Sequence, residues 1–505
     1  MKRNDLLRGF FILAFLGLCY FPLFLHLDQV PLRLWDEARR GVNALEMAES
    51  GDLLVTRYAG QPDMWGTKPP LLIWCQVFWM KILGYNELAV RLPAALAGLC
   101  TIFGLIFFSR KILNNTWTGI FAALVLLTTR GFISEHMTRS GDFDALLTLW
   151  ETGYALAFFV FLEKRAQDTP PHPWKWLYLA ALFAALAALT KGVAGFFFVP
   201  GLALYALTRK SGRALFLSRR LWLSVAGVMG VVAGFYLLRE SQNPGYLRAV
   251  WENELGGRYF KPKEGHGHPF YLYFKLLYEG HFMPWLLWLP AGAVAGFFQN
   301  GRTRRLTTLI GMVSVVFFLV LMGGKTKIQW YMAPAFPLLA LVAGMGFQVL
   351  FEGGWSLLSR KKPLGEPAKY LFLTAFTFAL FFQPYQKTIE RIYFEKLPEH
   401  DWKFMKYRDF MYQNKDIKNY SIVHRRPNSN VRFYQSVLRL KGWNIRSFPL
   451  DNFDGKTFDF GEPPLDFVPG DTLMICEKKV FPKLDRVFRY EVIRAWDTCK
   501  LLVIK

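Results

Sequence analysis

An uncharged run, GFFILAFLGLCYFPLFL from Gly9 to Leu25, stands near the start of the chain and restricts what it can fold into. A hydrocarbon core about 30 Å thick is crossed by roughly 17 to 25 apolar residues in a helix, because a helix satisfies its own backbone where water is absent. Lys2, Arg3 and Arg8 precede the run and no small-x-small cleavage pattern follows. It therefore reads as a retained first span and not as a removed signal. The rest of the composition agrees, with 53% hydrophobic and 17% aromatic residues and 48 phenylalanines. A formal net charge of +23 raises nucleic acid as a partner. Basic residues scattered between apolar runs are instead what the loops of a membrane protein look like, and nucleic acid is set aside.

Ten further segments read as spans, at 92 to 109, 117 to 136, 144 to 162, 174 to 190, 192 to 208, 221 to 238, 282 to 299, 306 to 322, 329 to 350 and 370 to 384. The stretch PLLIWCQVFWMKILG, Pro69 to Gly84, is short and carries Lys81, so it is placed at the membrane surface. With that choice the basic loops at Arg110-Lys111, Lys164-Arg165, Arg209 to Arg220, Arg302 to Arg305 and Arg360 to Lys362 fall on one side with the N-terminus, as cytoplasmic loops should. About eleven spans result, in a transmembrane domain of residues 1 to 385. Two long loops, about 28 to 91 and 240 to 281, and a tail from 386 to 505 then lie outside. The tail alternates strand-like runs (YSIVH, TLMICE, KLLVIK) with a helical pattern, which predicts a small soluble α+β domain. Cys19, Cys75 and Cys100 lie in apolar stretches and read as packing residues, whereas Cys476 and Cys499 are placed to pair if the tail faces an oxidising compartment.

Charges near a membrane are costly, so a cluster of them on one face marks function. The outer face collects Asp36, Glu37, Arg39, Arg40, Lys68, Asp142, Asp144, Lys191, Glu254, Arg258, Lys325 and Lys327. Several keep two readings. Lys191 in ALTKGVAG sits at the top of a helical hairpin, either as a ligand for an anion or as a snorkelling lysine. Arg258 is four residues from Glu254, which also suits a salt bridge along a helix. Asp36 is placed to cap the helix EARRGVNALEMAES, a role compatible with catalysis. Asp142 and Asp144 begin a span, as a second acidic site or as residues favoured by the helix dipole. His266 and His268 in EGHGHPF have no obvious carboxylate partner for a metal, and the glycines beside them mark a loop.

These blocks resemble a family, the bacterial aminoarabinose transferases and protein O-mannosyltransferases, which are polyprenyl-phosphate-sugar-dependent membrane glycosyltransferases of the GT-C fold. The resembling stretches, in family order, are WDEARRGVNALEMAESGDLLVTRYAGQPDMWGTKPPLLIW, GYNELAVRLPAALAG, MTRSGDFDALLTLW, LTKGVAGFFFVPG, ENELGGRYF, HPFYLYFKLLYEGHFMPW and KTKIQWYMAPAFPLLALVAG. The resemblance implies an all-α polytopic bundle with juxtamembrane helices, a soluble extracytoplasmic tail, and a site open to the periplasmic side of the cell inner membrane. The family's D-E-x-R-Y motif is matched at Asp36, Glu37 and Arg39, with Arg40 in place of the aromatic residue. The acid that often precedes K-P-P, implicated in metal binding in some members, is Thr67 here.

A sugar leaving a polyprenyl phosphate builds negative charge on phosphate oxygens, which calls for waiting cations. Lys68 is the first choice, followed by Arg258, Lys191 and the Tyr331 hydroxyl, with Arg39 and Lys325 as further phosphate ligands. Phosphate leaves without protonation, so one base suffices, and attack from the opposite face inverts the anomeric carbon. Asp36, Glu37 and Asp144 are the carboxylates assigned to catalysis. No metal ligand is assigned, and a divalent cation is the only cofactor left open. The expected partners are an undecaprenyl-phosphate-sugar donor and an extracytoplasmic acceptor such as lipid A, another glycolipid or a protein. A transporter or flippase of lipid-linked sugars is the rival reading, but it predicts paired charges at mid-membrane and internal repeats.

Overall fold

The computed structural model describes residues 3–34, 36–134, 136–167, 173–260, 262, 265–360, 364–393, 405–424, 428–449, 451–453, 458–460, 467–478 and 480–505. Two compact units result, the first of Met1–Leu25, Pro62–Cys75 and Arg91–Phe394, the second of His26–Gln61, Gln76–Val90 and Glu395–Lys505.

The first unit is helical. Among the described residues, seven stretches are long and apolar enough to cross a membrane: Leu6–Phe24, Glu87–Leu113, Asp144–Arg165, Trp174–Phe196, Arg219–Gln242, Gly301–Gly323 and Ala335–Ser359. A bent pair, Leu272–His281 with Trp285–Phe298, makes up to eight, its halves inclined by 107°. In chain order the helices are α1 (Arg3–Phe24), α3 (Leu71–Leu83), α4 (Glu87–Phe108), α5 (Thr116–Leu127), α6 (Asp144–Arg165), α7 (Trp174–Lys191), α8 (Val199–Leu207), α9 (Lys210–Arg213), α10 (Arg219–Gln242), α11 (Tyr246–Val250), α12 (Leu272–Leu276), α13 (Leu289–Phe298), α14 (Gly301–Gly323), α15 (Ala335–Ser359) and α16 (Glu366–Tyr393).

Four expected spans take another form. The segment 117 to 136 yields only the twelve residues of α5, which stops where the Thr128 hydroxyl turns back to the Leu124 carbonyl. The segment 192 to 208 breaks into a tight 3₁₀ turn, Gly192–Phe196, and the short α8, which carries Pro200 in its first turn. The segment 282 to 299 is half of the bent pair, and 370 to 384 lies within α16, whose ends are charged and whose interior holds Pro384. Glycine, proline and threonine at these points offer the backbone alternatives to a continuous helix. The excluded stretch at 69 to 84 forms α3, thirteen residues that fall short of a crossing.

The core of the bundle lies around α6, which packs on α7, and α15, which packs on α5 and α13. Apolar helices gain little from the hydrophobic effect in lipid, so close approach through small residues holds them. A Cβ at Gly292 of α13 would stand 2.1 Å from the Val342 carbonyl oxygen of α15, and one at Gly346 would stand 3.1 Å from Gly292. At the far end of α6 from Asp144, the buried Glu163 carboxylate accepts from Arg305 Nε at 2.6 Å and has Arg209 at 3.6 Å and Arg302 at 4.0 Å.

The second unit contains α2 (Asp36–Ser50), the two-residue strands β1 (Arg57–Tyr58) and β2 (Gln61–Pro62), and the α+β domain read from the tail. Its sheet runs β4-β3-β7-β9-β8, from β3 (Asn419–His424), β4 (Asn444–Pro449), β7 (Thr472–Ile475), β8 (Tyr490–Trp496) and β9 (Cys499–Ile504). β3 pairs parallel with β4 and β7, while β9 pairs antiparallel with β7 and β8. A minor antiparallel pair, β5 (Asp451–Phe453) with β6 (Phe458–Phe460), and the helices α17 (Tyr407–Gln413), α18 (Ser429–Leu440) and α19 (Phe481–Val487) complete it. Cys476 and Cys499 form a disulfide between the end of β7 and the start of β9. α2 packs on α18 at Gly41, where an added Cβ would come within 2.9 Å of Leu32 and 3.2 Å of Phe433. The Tyr434 hydroxyl accepts from the Leu32 amide at 2.8 Å and donates to Glu87, which Arg408 also holds at 2.8 Å.

Candidate active site

A cavity of about 410 Å³ lies in the first unit, and its walls divide by chemistry. Val193, Phe197, Phe317, Val320 and Leu321 make an apolar side, while Lys68, Asp144, Glu151, Lys191, Glu254, Arg258 and Tyr331 bring charge and a phenol to the same space.

Lys68 comes from the loop ahead of α3. Asp63 Oδ1 accepts the amides of Trp65 and Gly66 at 3.0 and 3.1 Å, which folds the loop, and Pro69 and Pro70 stiffen its exit. Lys68 Nζ then stands 3.2 Å from Glu254 Oε1, and the Thr67 hydroxyl donates to that oxygen at 2.6 Å. The threonine in the place of the family's acid thus supplies a donor to a carboxylate from elsewhere. Burial pushes the Glu254 carboxyl up, but the Lys68 ammonium, the Thr67 hydroxyl and the Arg258 guanidinium outweigh it and hold Glu254 below its ordinary range. Glu254 and Arg258 lie on a π-helical turn, Trp251–Tyr259. On this wider turn Glu254 feels Arg258 through space and also pairs across the fold with Lys68.

Arg258 donates to the Tyr331 hydroxyl, and burial pushes that phenol above its ordinary range. Backbone bonds from Lys325 to the Tyr259 carbonyl (2.9 Å) and from Thr326 to the Arg258 carbonyl (3.0 Å) fix the end of the turn. The Lys325 side chain is exposed and lies outside the set that lines the cavity. Lys327 is buried and donates to the Gly324 carbonyl at 2.6 Å; burial and the neighbouring Lys325 hold its ammonium below the ordinary range.

Lys191 ends α7, where Gly192 takes φ +60° and lets the chain turn at once into the 3₁₀ segment. Its ammonium is buried, 2.5 Å from Asp144 Oδ1 at the start of α6 and 5.0 Å from the Tyr331 ring. It does not snorkel. Asp142 makes a separate pair, 3.1 Å from His136, whose ring stacks on Trp330 at 3.6 Å. The His266 and His268 rings are 6.2 Å apart, and among the described residues no three or more His, Cys, Asp or Glu side chains gather closely enough to hold a metal.

The remaining expected residues sit on α2 in the second unit. Asp36 is partly exposed and has Arg40 one turn along at 3.7 Å. Buried Glu37 accepts the Arg33 amide at 2.7 Å, a contact that holds the approach to the helix. Arg39 lies over the Tyr58 ring at 4.4 Å.

Glu151 was not singled out from the sequence. It is an acid inside the apolar run LTLWETGY, and that isolation was the signal available. It lines the cavity seven residues along α6 from Asp144, on the same helix face. The arrangement as a whole can hold an anion among Lys68, Arg258, Lys191 and Tyr331, beside an apolar wall suited to a lipid chain.

Residues 67–236 match the family described as dolichyl-phosphate-mannose-protein mannosyltransferase. Over 359 residues, 70% of the chain, 26% are identical in the undecaprenyl phosphate-alpha-4-amino-4-deoxy-L-arabinose arabinosyl transferase of Edwardsiella ictaluri. The match spans 62% of that protein, less than two thirds of its length. The fold is similar to the crystal structure of ArnT from Cupriavidus metallidurans bound to undecaprenyl phosphate, with a TM-score of 0.70 and 18% identity over 98% of either chain. It is also similar to the apo oligosaccharyltransferase of Archaeoglobus fulgidus, with a TM-score of 0.52 and 11% identity over 86% of this chain and 63% of that one.

Proposed function

On the premise that the chain is a multi-pass membrane protein of the GT-C fold, related to the aminoarabinose transferases, we propose that it moves a sugar from undecaprenyl phosphate to an extracytoplasmic acceptor. One observation carries this reading: three cations and a phenol converge, beside three carboxylates, on a single cavity whose remaining wall is mostly apolar. In the reaction the bond from the anomeric carbon to the phosphate oxygen breaks, and the electron pair leaves with the phosphate. The acceptor oxygen attacks the opposite face, with inversion. Lys68, Arg258 and Lys191 meet the charge that grows on the phosphate, and Tyr331 donates its hydroxyl hydrogen. One preorganised donor of this sort is worth about 2.7 to 4 kcal/mol. A phosphate leaving group needs no general acid.

Asp36 is assigned as base, or as orienting group for the acceptor, on the family motif alone. A phosphate acceptor would need no proton removed, and Asp36 would then only orient it. Asp144, ion-paired to Lys191, sets the place of that ammonium. The distribution of basic loops supports a site on the periplasmic side of the inner membrane. The names of the relatives favour a 4-amino-4-deoxy-arabinose as the sugar, and lipid A is the acceptor taken from the family resemblance.

The test is transfer by the full chain in proteoliposomes supplied with an undecaprenyl-phosphate-linked 4-amino-pentose and lipid A, read by mass spectrometry of the lipid. Glycosylated lipid A and free undecaprenyl phosphate are expected, with at least a tenfold loss for Lys68→Ala and Arg258→Ala. Movement of the donor across the bilayer with no new glycolipid would replace the reading by that of a flippase.

A further inference from the structure

Glu151 is fully buried on α6, at a depth where a charged group is expensive. The Tyr154 hydroxyl donates to its Oε1 at 3.0 Å and itself accepts the Phe198 amide at 3.2 Å. Among the described residues no hydrogen-bond donor meets Oε2. The Phe197 amide faces the carboxylate but donates to the Ala194 carbonyl, and Lys191 acts on it only through space while bound to Asp144. A buried oxygen left in this way costs about 1 to 3 kcal/mol, more for a charged group, unless a ligand supplies the missing donor.

The ligand that would do so is set by charge. Lys68, Lys191 and Arg258 face Asp144 and Glu254 in the cavity wall, and Glu151 adds a third negative charge only where a cation meets it, since burial disfavours its charged form. A sugar on a phosphodiester adds one negative charge to that balance, and a protonated amine on the sugar supplies the cation. A hydroxyl in the amine's place leaves Glu151 without the cation that its charged form needs at this burial. The placing also suits such a donor: seven residues at 1.5 Å put Glu151 about 10 Å along α6 from Asp144, comparable to the length of a pentosyl phosphate.

We propose that Glu151, held by Tyr154, is the residue that selects a donor sugar carrying a protonated amine. This rests on the glycosyl-transfer reading above and adds to it a determinant of sugar choice.

The experiment compares two donors on the same carrier, 4-amino-4-deoxy-arabinose and arabinose, with the full-length protein in proteoliposomes. The wild type is expected to favour the amino donor at least tenfold in KM, and Glu151→Gln to erase that preference, mainly by raising KM for the amino donor. A preference that survives in Glu151→Gln, or none in the wild type, overturns the assignment. A second measurement separates this from the reaction itself and does not depend on the variant folding. Binding of the methyl glycosides of the two sugars to wild-type protein loaded with undecaprenyl phosphate is measured directly. Tighter binding of the amine supports the role of Glu151 even if no transfer occurs; equal binding overturns it.

Discussion

Glu254 shows how much a local spacing can leave out. Four residues from Arg258, it feels that guanidinium as the spacing suggests, yet its carboxylate is also met by Thr67 and Lys68, partners more than 180 residues away. No periodicity in the sequence encodes that pairing, because it depends on where a loop and a turn meet. Its consequence can be read in pH. A carboxyl held below its ordinary value of 4.5 contributes stability that is complete above that value and is lost as pH falls through the lowered one. Thermal unfolding of the wild type is therefore expected to change little between pH 7 and about 5 on account of this group. Thr67→Val should lower stability by about 1.5 to 3 kcal/mol at neutral pH and by less near pH 4. An equal loss at both pH values would mean that the hydroxyl does not serve the charged form. Asp36, by contrast, is assigned on a motif alone, and its role can be tested on that basis. Asp36→Asn is expected to insert and fold normally while transfer falls by about 10²- to 10⁴-fold; full activity in membranes would remove it from the chemistry.

At the level of elements, LTKGVAG was legible as a hairpin with its lysine at the apex, and α7 does end at Lys191. What the sequence left open was the direction of the ammonium, settled by Asp144 on a neighbouring helix and by the tight turn that follows. That turn lies directly on α7: a Cβ at Gly195 would stand 2.4 Å from the backbone of Ala187. Gly195→Ala must lift the turn, at about 1 to 3 kcal/mol of lost packing, and shift Lys191 with it. A lower unfolding midpoint together with a raised donor KM is expected; a change in neither would show that the turn tolerates the displacement. The spans that took broken forms had a related cause. Hydropathy counts apolar residues and is blind to Gly192, Pro200 or Thr128, where the backbone stops or bends.

For the whole molecule, the tail was legible as an α+β domain because its strands alternate, but the company it keeps was not. Residues 26 to 61 and 76 to 90 fold with it, through α2 on α18 and the Tyr434–Glu87–Arg408 contacts. The Cys476–Cys499 bond closes 23 residues within this unit, and reduction is expected to lower its unfolding midpoint by the equivalent of about 3 kcal/mol. An unfolding curve indifferent to reductant would show the unit stable without the crosslink. If the chain carries out the proposed transfer, the cations around the cavity also bear on turnover. Groups that steady a departing phosphate also grip it once it has left, so the spent isoprenoid carrier is slow to diffuse back into the bilayer. The first round of product should then appear faster than later rounds, and added undecaprenyl phosphate should throttle the steady state; a linear trace from the first turnover would show that carrier exit sets no limit.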